Sequence, residues 1–136
     1  MTFEWDPTQR AYLDSHTWAV LATGRGDGSP QQSMIGYAVD DDGRLVISAK
    51  SYTAKWRNAV RRSRVSVTVP DGRIHLVVYG EAETIDEDPL RAELTSQVFA
   101  ALSGNEPPDP ASIVGMLDEQ QRTILRITPD RTFYQE

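Results

Sequence analysis

The sequence predicts a mainly β (α+β) domain, a small antiparallel barrel of six to seven strands with short helices packed on it. Three observations predict it. Runs rich in β-branched and aromatic residues recur along the chain, each closed by a turn signal: GRGDGSP at 24–30, DDDG at 40–43, Pro70-Asp71-Gly72. Helical periodicity is confined to short stretches between those runs. The length, 136 residues, suits one domain with one core, spanning 1–136.

The elements follow in order. Asp6-Pro7 reads as an N-cap followed by proline at the first helical position, opening a short helix to about Ser15. TWAVLAT (17–23), QQSMIGYAV (31–39) and RLVISA (44–49) are strands, so residues 17–49 are expected to form a meander. The period then changes. Trp56, Ala59 and Val60 fall at i, i+3 and i+4, which predicts a short amphipathic helix starting near Tyr52 and turning those three side chains to the core. RVSVTV (64–69) alternates as a strand, and RIHLVVYGEAETI (73–85) is a long one whose Gly80 implies a bulge or a close backbone approach. Leu94, Val98, Phe99 and Leu102 share a face of a helix over 89–103, stopped by Ser103-Gly104. A loop (NEPPDP), a shorter helix (111–120), a strand (122–128) and a last pairing by TFYQ complete the chain.

Composition narrows the function classes. There are no cysteines, which excludes disulfides and thiolate chemistry. His16 and His75 are the only histidines, and no carboxylate is spaced to make a metal site with either. The net charge of -6 argues against a nucleic-acid partner, so the arginines at 57, 61, 62 and 64 read as a solvated face or as contacts to an anionic ligand. No apolar run reaches the ~20 residues of a membrane helix, and the N-terminus has no apolar signal segment, so a cytoplasmic location is expected. Gly-x-Ser-x-Gly is absent, and Arg25-Gly26-Asp27 reads as a hairpin turn.

One stretch carries chemistry. SAKSYTAKWRNAVRRS (48–63) holds both lysines of the chain, Lys50 and Lys55, whereas the other cations are all arginines. Lysine is a compact point charge on a flexible stem. With the hydroxyls of Ser48, Ser51 and Thr53 and the free N–H groups of a helix start, the two ammoniums suggest an anion cradle. The competing reading is two solvated surface lysines.

From about Ala19 to Phe133 the chain resembles the pyridoxamine-phosphate-oxidase-like, FMN-binding split β-barrel family. The likeness is strongest over 21–69, and its most specific marker is Thr53-Ala54-Lys55-x-x-Asn58 followed by Arg61-Arg62-x-Arg64-Val65. Within that family it is similar to the deazaflavin (coenzyme F-420)-dependent reductases of actinobacteria. The resemblance implies a homodimer with its cofactor sites at the interface. It implies that Ser48, Lys50, Thr53 and Lys55 hold the cofactor phosphate, that Ser51 and Asn58 also bind the cofactor, and that Met34, Ile35 and Gly36 lie along the ring. Tyr37 and His75 are then candidates for the proton that accompanies hydride transfer to a small unsaturated substrate. Trp56, Tyr79 and Phe99 are expected contributors to a buried face. FMN is the alternative cofactor, and a cofactor-storage or haem-binding protein without turnover the alternative function.

Overall fold

The computed structural model describes residues 2–136. Four helices and seven strands are ordered α1 (Pro7–Asp14), β1 (Trp18–Gly24), β2 (Pro30–Gly36), β3 (Ala38–Val39), β4 (Leu45–Lys50), α2 (Ala54–Arg61), β5 (Arg64–Asp71), β6 (Ile74–Ile85), α3 (Leu90–Ser103), α4 (Pro110–Glu119) and β7 (Arg122–Gln135). The strands form one antiparallel sheet in the order β2-β1-β5-β6-β7-β4-β3, curled into a split half-barrel. Among the described residues no helix is long and apolar enough to cross a membrane.

Alternation along the strands fills the barrel. Ala19 and Leu21 of β1, Leu45 and Ile47 of β4, Val65, Val67 and Val69 of β5, Leu76 and Val78 of β6, and Leu125 and Ile127 of β7 all point inward. This is the period-two signature of a sheet with one buried face. Leu13 of α1 and Ala59 of α2 join the same core. The Asp6 carboxylate caps α1 by accepting from the Gln9 N–H, with Pro7 at the first turn as its fixed φ allows. A second cluster lies on the outer side of β4 and β7, where α3 sets Leu94 and Val98 on Val46 and Ile124. Gly104 ends α3 in the left-handed region at φ 75°.

The expected meander holds in part: β1 pairs with β2, and Ala38–Val39 of the expected second strand pair with β4, but that strand is broken after Gly36. β2 ends at Gly36, where the Tyr37 N–H donates to the Thr17 carbonyl and the ring turns into the core. The chain then pairs Ala38 and Val39 with Val46 and Leu45 of β4, so β2 and β4 stand toward opposite ends of the sheet. Alternation records which face a residue occupies, not which strand it meets. TFYQ adds the expected last pairing, against β6, as the far half of a continuous β7, which bends at the bulge opposite Gly80. Both forecasts for Gly80 hold there: the register shifts between Tyr79 and Gly80, and a side chain at 80 would meet the Thr128 carbonyl oxygen at 2.3 Å. Val60 corrects another expectation, being 53% exposed. The inner face of α2 is made by Ala59, by Asn58 and by a half-buried Trp56.

Candidate functional site

The cradle forms where β4 runs into α2. Lys50 pairs with Arg122 across β4 and β7, and Ser48 lies two residues earlier on the same outward side. The Arg122 guanidinium donates to the Ser48 hydroxyl (3.3 Å) and to the Gln120 carboxamide (2.7 Å). Thr53 is the residue before α2. Its hydroxyl donates to the Lys50 carbonyl at 2.7 Å and leaves the first-turn N–H groups without a side-chain cap. Burial pushes the Lys55 ammonium below the ordinary lysine value, and the nearby charges of Arg122 and Lys50 push it the same way. Lys50, Lys55 and Arg122 therefore form a three-cation cluster at a helix start.

Among the described residues no carboxylate neutralises it. The ion pairs of the protein join Arg10 to Asp14, Arg44 to Asp40 and Asp42, Arg64 to Glu81 and Asp130, Arg91 to Asp88 and Asp118, Arg126 to Asp40 and Glu83, and His16 to Asp71. Among the described residues, none reaches Lys50, Lys55 or Arg122. In a chain of net charge -6, an unpaired and partly desolvated cation cluster is a candidate anion site.

Positive charge continues along the helix. Ala54, Arg57, Asn58 and Arg61, one stripe of α2, line a cavity of about 380 Å³ closed on its other side by Arg25 of the β1–β2 turn. Asn58 is fixed within the protein: it is 4% exposed, donates to the Thr23 hydroxyl (3.1 Å) and accepts from Arg61 (2.5 Å). Its carboxamide pins α2 to β1 and aims Arg61.

Of the other expected residues, Ser51 adjoins this cluster and the rest lie on other strands. Ser51 sits beside Arg122, its N–H bonded to the Gln121 carbonyl at 2.8 Å. Met34 is 63% exposed on β2, the Ile35 side chain is in the core, and Gly36 packs so closely on Leu102 that a Cβ would come within 2.3 Å of it. A ring at Ile35 would touch backbone only. Tyr37 is 2% exposed, and its hydroxyl donates to the Leu13 carbonyl at 2.6 Å. Burial, with Asp14 and Tyr12, pushes its pKa up, which makes it a structural phenol rather than a proton donor at a solvent-open site. His75 pairs with Gln135, thirteen residues further along β7 than the Arg122 that faces Lys50. It shares the outer sheet face with Met34, but β5 and β1 lie between their strands, which makes three strand spacings or roughly 14 Å.

Arg122 is the candidate-site residue that the sequence does not reveal. It lies 67 positions after Lys55, and only the β4–β7 register brings it to the cradle. The outer face carries a further feature. Met34, Val20, Thr68, Val77 and Phe133 are paired in one row across five strands, with Trp18 beside them. Trp18, Met34 and Phe133 are all at least half exposed. Trp56, expected on such a face, packs instead on its own core, and Tyr79 lies under the Arg131 guanidinium.

A family model for pyridoxamine 5'-phosphate oxidase matches residues 5–136. The chain belongs to that family. Among curated proteins nothing matches it. Among solved structures, a conserved hypothetical protein, Rv2991 from Mycobacterium tuberculosis, is similar at 25% identity and TM-score 0.81, over 99% of this chain and 86% of that one. An F420 reductase is similar at 26% identity and TM-score 0.65, over 86% of this chain and 89% of that one. A haem-binding protein from Mycobacterium smegmatis shares the fold at 19% identity and TM-score 0.71, over 93% of this chain and 51% of that one. The pyridoxamine 5'-phosphate oxidase fold binds flavins, and the family includes oxidoreductases.

Proposed function

We propose that this family member is a coenzyme F-420-dependent oxidoreductase, which passes a hydride from the reduced deazaflavin to an unsaturated small molecule. The observation that carries the reading is the amount of unpaired positive charge around α2. Lys50, Lys55 and Arg122 suit one phosphate; Arg25, Arg57 and Arg61 line a further cavity along the same helix. FMN ends at its phosphate, whereas the deazaflavin coenzyme continues into an anionic lactyl-glutamyl tail. Similarity to an F420 reductase at 26% identity supports the same choice.

The residues present fit such a group. The cradle holds the phosphate by charge and by the free N–H groups of α2, and Asn58 keeps the helix in place. The bound deazaflavin supplies the hydride, so the protein supplies position and electrostatics and no nucleophile. Backbone at Met34–Gly36, on the open edge strand β2, offers the ring a flat bed. His75, on the same outer sheet face as Met34, is the candidate proton donor in place of the buried Tyr37 if a second copy meets that face.

Fluorescence titration tests the cofactor assignment. F-420 is expected to bind more tightly than FMN at low ionic strength, with the gap narrowing as salt screens the arginines. Equal or tighter FMN binding at low salt would overturn the deazaflavin assignment and leave an FMN enzyme of the same fold.

A further inference from the structure

The cavity lined by Arg25, Arg57 and Arg61 also touches Asn58, and from there a chain of polar side chains runs into the protein. The Arg61 Nη2–H donates to Asn58 Oδ1 at 2.5 Å. The Asn58 Nδ2–H donates to the Thr23 hydroxyl oxygen at 3.1 Å, and that hydroxyl donates to Gln31 Oε1 at 3.0 Å. Gln31 Nε2 donates in turn to the Gln32 carbonyl (3.1 Å) and to the Ser33 hydroxyl (2.9 Å). The chain thus links α2 through β1 to the edge strand β2, on which Gln31 is the register partner of Thr23. Thr23 and Asn58 are almost wholly buried.

Every hydrogen bond in the chain points the same way, and its two ends dictate that. A guanidinium can only donate, and a backbone carbonyl can only accept. The Gln32 carbonyl claims the Gln31 NH2 group, which turns Oε1 toward Thr23. The Thr23 hydroxyl then donates to Gln31 and keeps its lone pairs for the Asn58 NH2 group, so the Asn58 oxygen faces Arg61. One-way chains of this kind strengthen by mutual polarisation. Apolar side chains at 23 and 58 would fill the same space and need no partners. What the polar pair adds is a fixed acceptor for Arg61. Arg61 is exposed, and without that acceptor its side chain would keep most of its rotamer freedom. Held through Nη2, it leaves its other N–H groups for a ligand in the cavity.

We infer that Thr23 and Gln31 are positioning residues for Arg61: through Asn58 they hold its guanidinium at the cavity, and so favour a ligand that carries an anionic group beyond its phosphate. The inference rests on the reading of that cavity as the place of the deazaflavin tail.

The free protein gives the first readout. In arginine side-chain NMR spectra the Arg61 signals, assigned by their loss in Arg61→Gln, are expected to show restricted rotation of the guanidinium. Thr23→Val should abolish that restriction and Thr23→Ser should keep it. Binding gives the second readout. F-420 and FMN are titrated by fluorescence against the wild type, Thr23→Val, Arg61→Gln and the double variant, and the ratio of the two affinities is compared. Thr23→Val is expected to weaken F-420 binding roughly two- to tenfold, the worth of fixing one long side chain, and to leave FMN binding unchanged. Thr23→Ser should restore the ratio, and Thr23→Val added to Arg61→Gln should change nothing further. A merely structural hydroxyl would lower both affinities together, or lower that of F-420 equally with and without Arg61. Either result overturns the inference, as does an Arg61 guanidinium that stays restricted in Thr23→Val. If Thr23→Val does not fold, Gln31→Leu, at a half-buried position on β2, breaks the same chain and carries the same expectations. The wild-type ratio tests the deazaflavin assignment and the change in ratio tests the chain, so the two fail independently.

Discussion

Lys55 sits where charge is least solvated in the cradle, which makes it the sensitive residue. Lys55→Ala is expected to weaken binding of the phosphate-bearing cofactor by roughly 1.5–3 kcal/mol, and Lys50→Ala by less, because Lys50 is not held at the start of α2. Titration of both variants checks the order, and an unchanged affinity for Lys55→Ala removes the cradle assignment. The sign of the pH dependence follows from the depressed pKa. Only protonated Lys55 attracts the anion, so affinity should be full below its lowered folded pKa and fall as pH rises through it, earlier than an ordinary lysine would dictate. Lys50 and Lys55 are legible in the sequence because five positions and one turn join them. Arg122 is not, since no local pattern encodes the register of β4 on β7. The exposure of Val60 has a related cause: hydropathy alone turns Val60 inward, whereas the fold buries the polar Asn58, whose carboxamide finds Thr23 and Arg61.

Two glycines separate elements that tolerate a methyl group from those that do not. Gly80 faces the Thr128 carbonyl across the β6–β7 bulge, and backbone on both strands leaves nothing flexible to yield. Gly80→Ala should therefore cost roughly 3 kcal/mol. Gly115, within α4, meets nothing within 4 Å, and Gly115→Ala should add about 0.5–1 kcal/mol by helix propensity. Thermal melts moving in opposite directions check the pair. A different tie joins α1 to the β5–β6 turn. His16 presents Nδ1 to the Tyr12 carbonyl (2.8 Å) and Nε2 to the Asp71 carboxylate (3.0 Å), so both nitrogens face acceptors and the charged ring is favoured. The hydrogen bond to Asp71 is the main cause that raises its pKa. A raised histidine pKa contributes stability that is whole below about pH 6.5 and is lost as pH rises through the folded value. Asp71 is largely exposed, so the effect is about 1 kcal/mol or less. Asp71→Asn should flatten the decline of stability above neutral pH, and an unaltered profile would show that the pair does not titrate with folding. The sequence places both helix and turn, but it cannot show that a residue at a helix end reaches a turn 55 positions on.

At the scale of the molecule, the outer sheet face is the part that the chain leaves unfinished. α3 covers the outer side of β4 and β7 near Val46 and Ile124, but Trp18, Met34 and Phe133 remain at least half exposed on the rest. The row across five strands, apolar except for Thr68, is the surface through which we propose that a second copy associates by two-fold symmetry, the same patch meeting itself. The free edge of β2 and the candidate ring bed at Met34–Gly36 border that row, so association and cofactor binding are expected to be coupled. Sedimentation at micromolar concentration should give a particle of twice 15.2 kDa. Met34→Glu with Phe133→Glu places like charges at the two ends of the row and should yield monomers. Both positions are exposed in one copy, so the circular dichroism of the variant should stay that of the folded chain. Cofactor affinity should fall with dissociation even though Lys50, Lys55 and Arg122 are untouched. A wild-type particle of 15.2 kDa, or a monomeric variant that still binds cofactor at full strength, would mean that each chain carries its site alone.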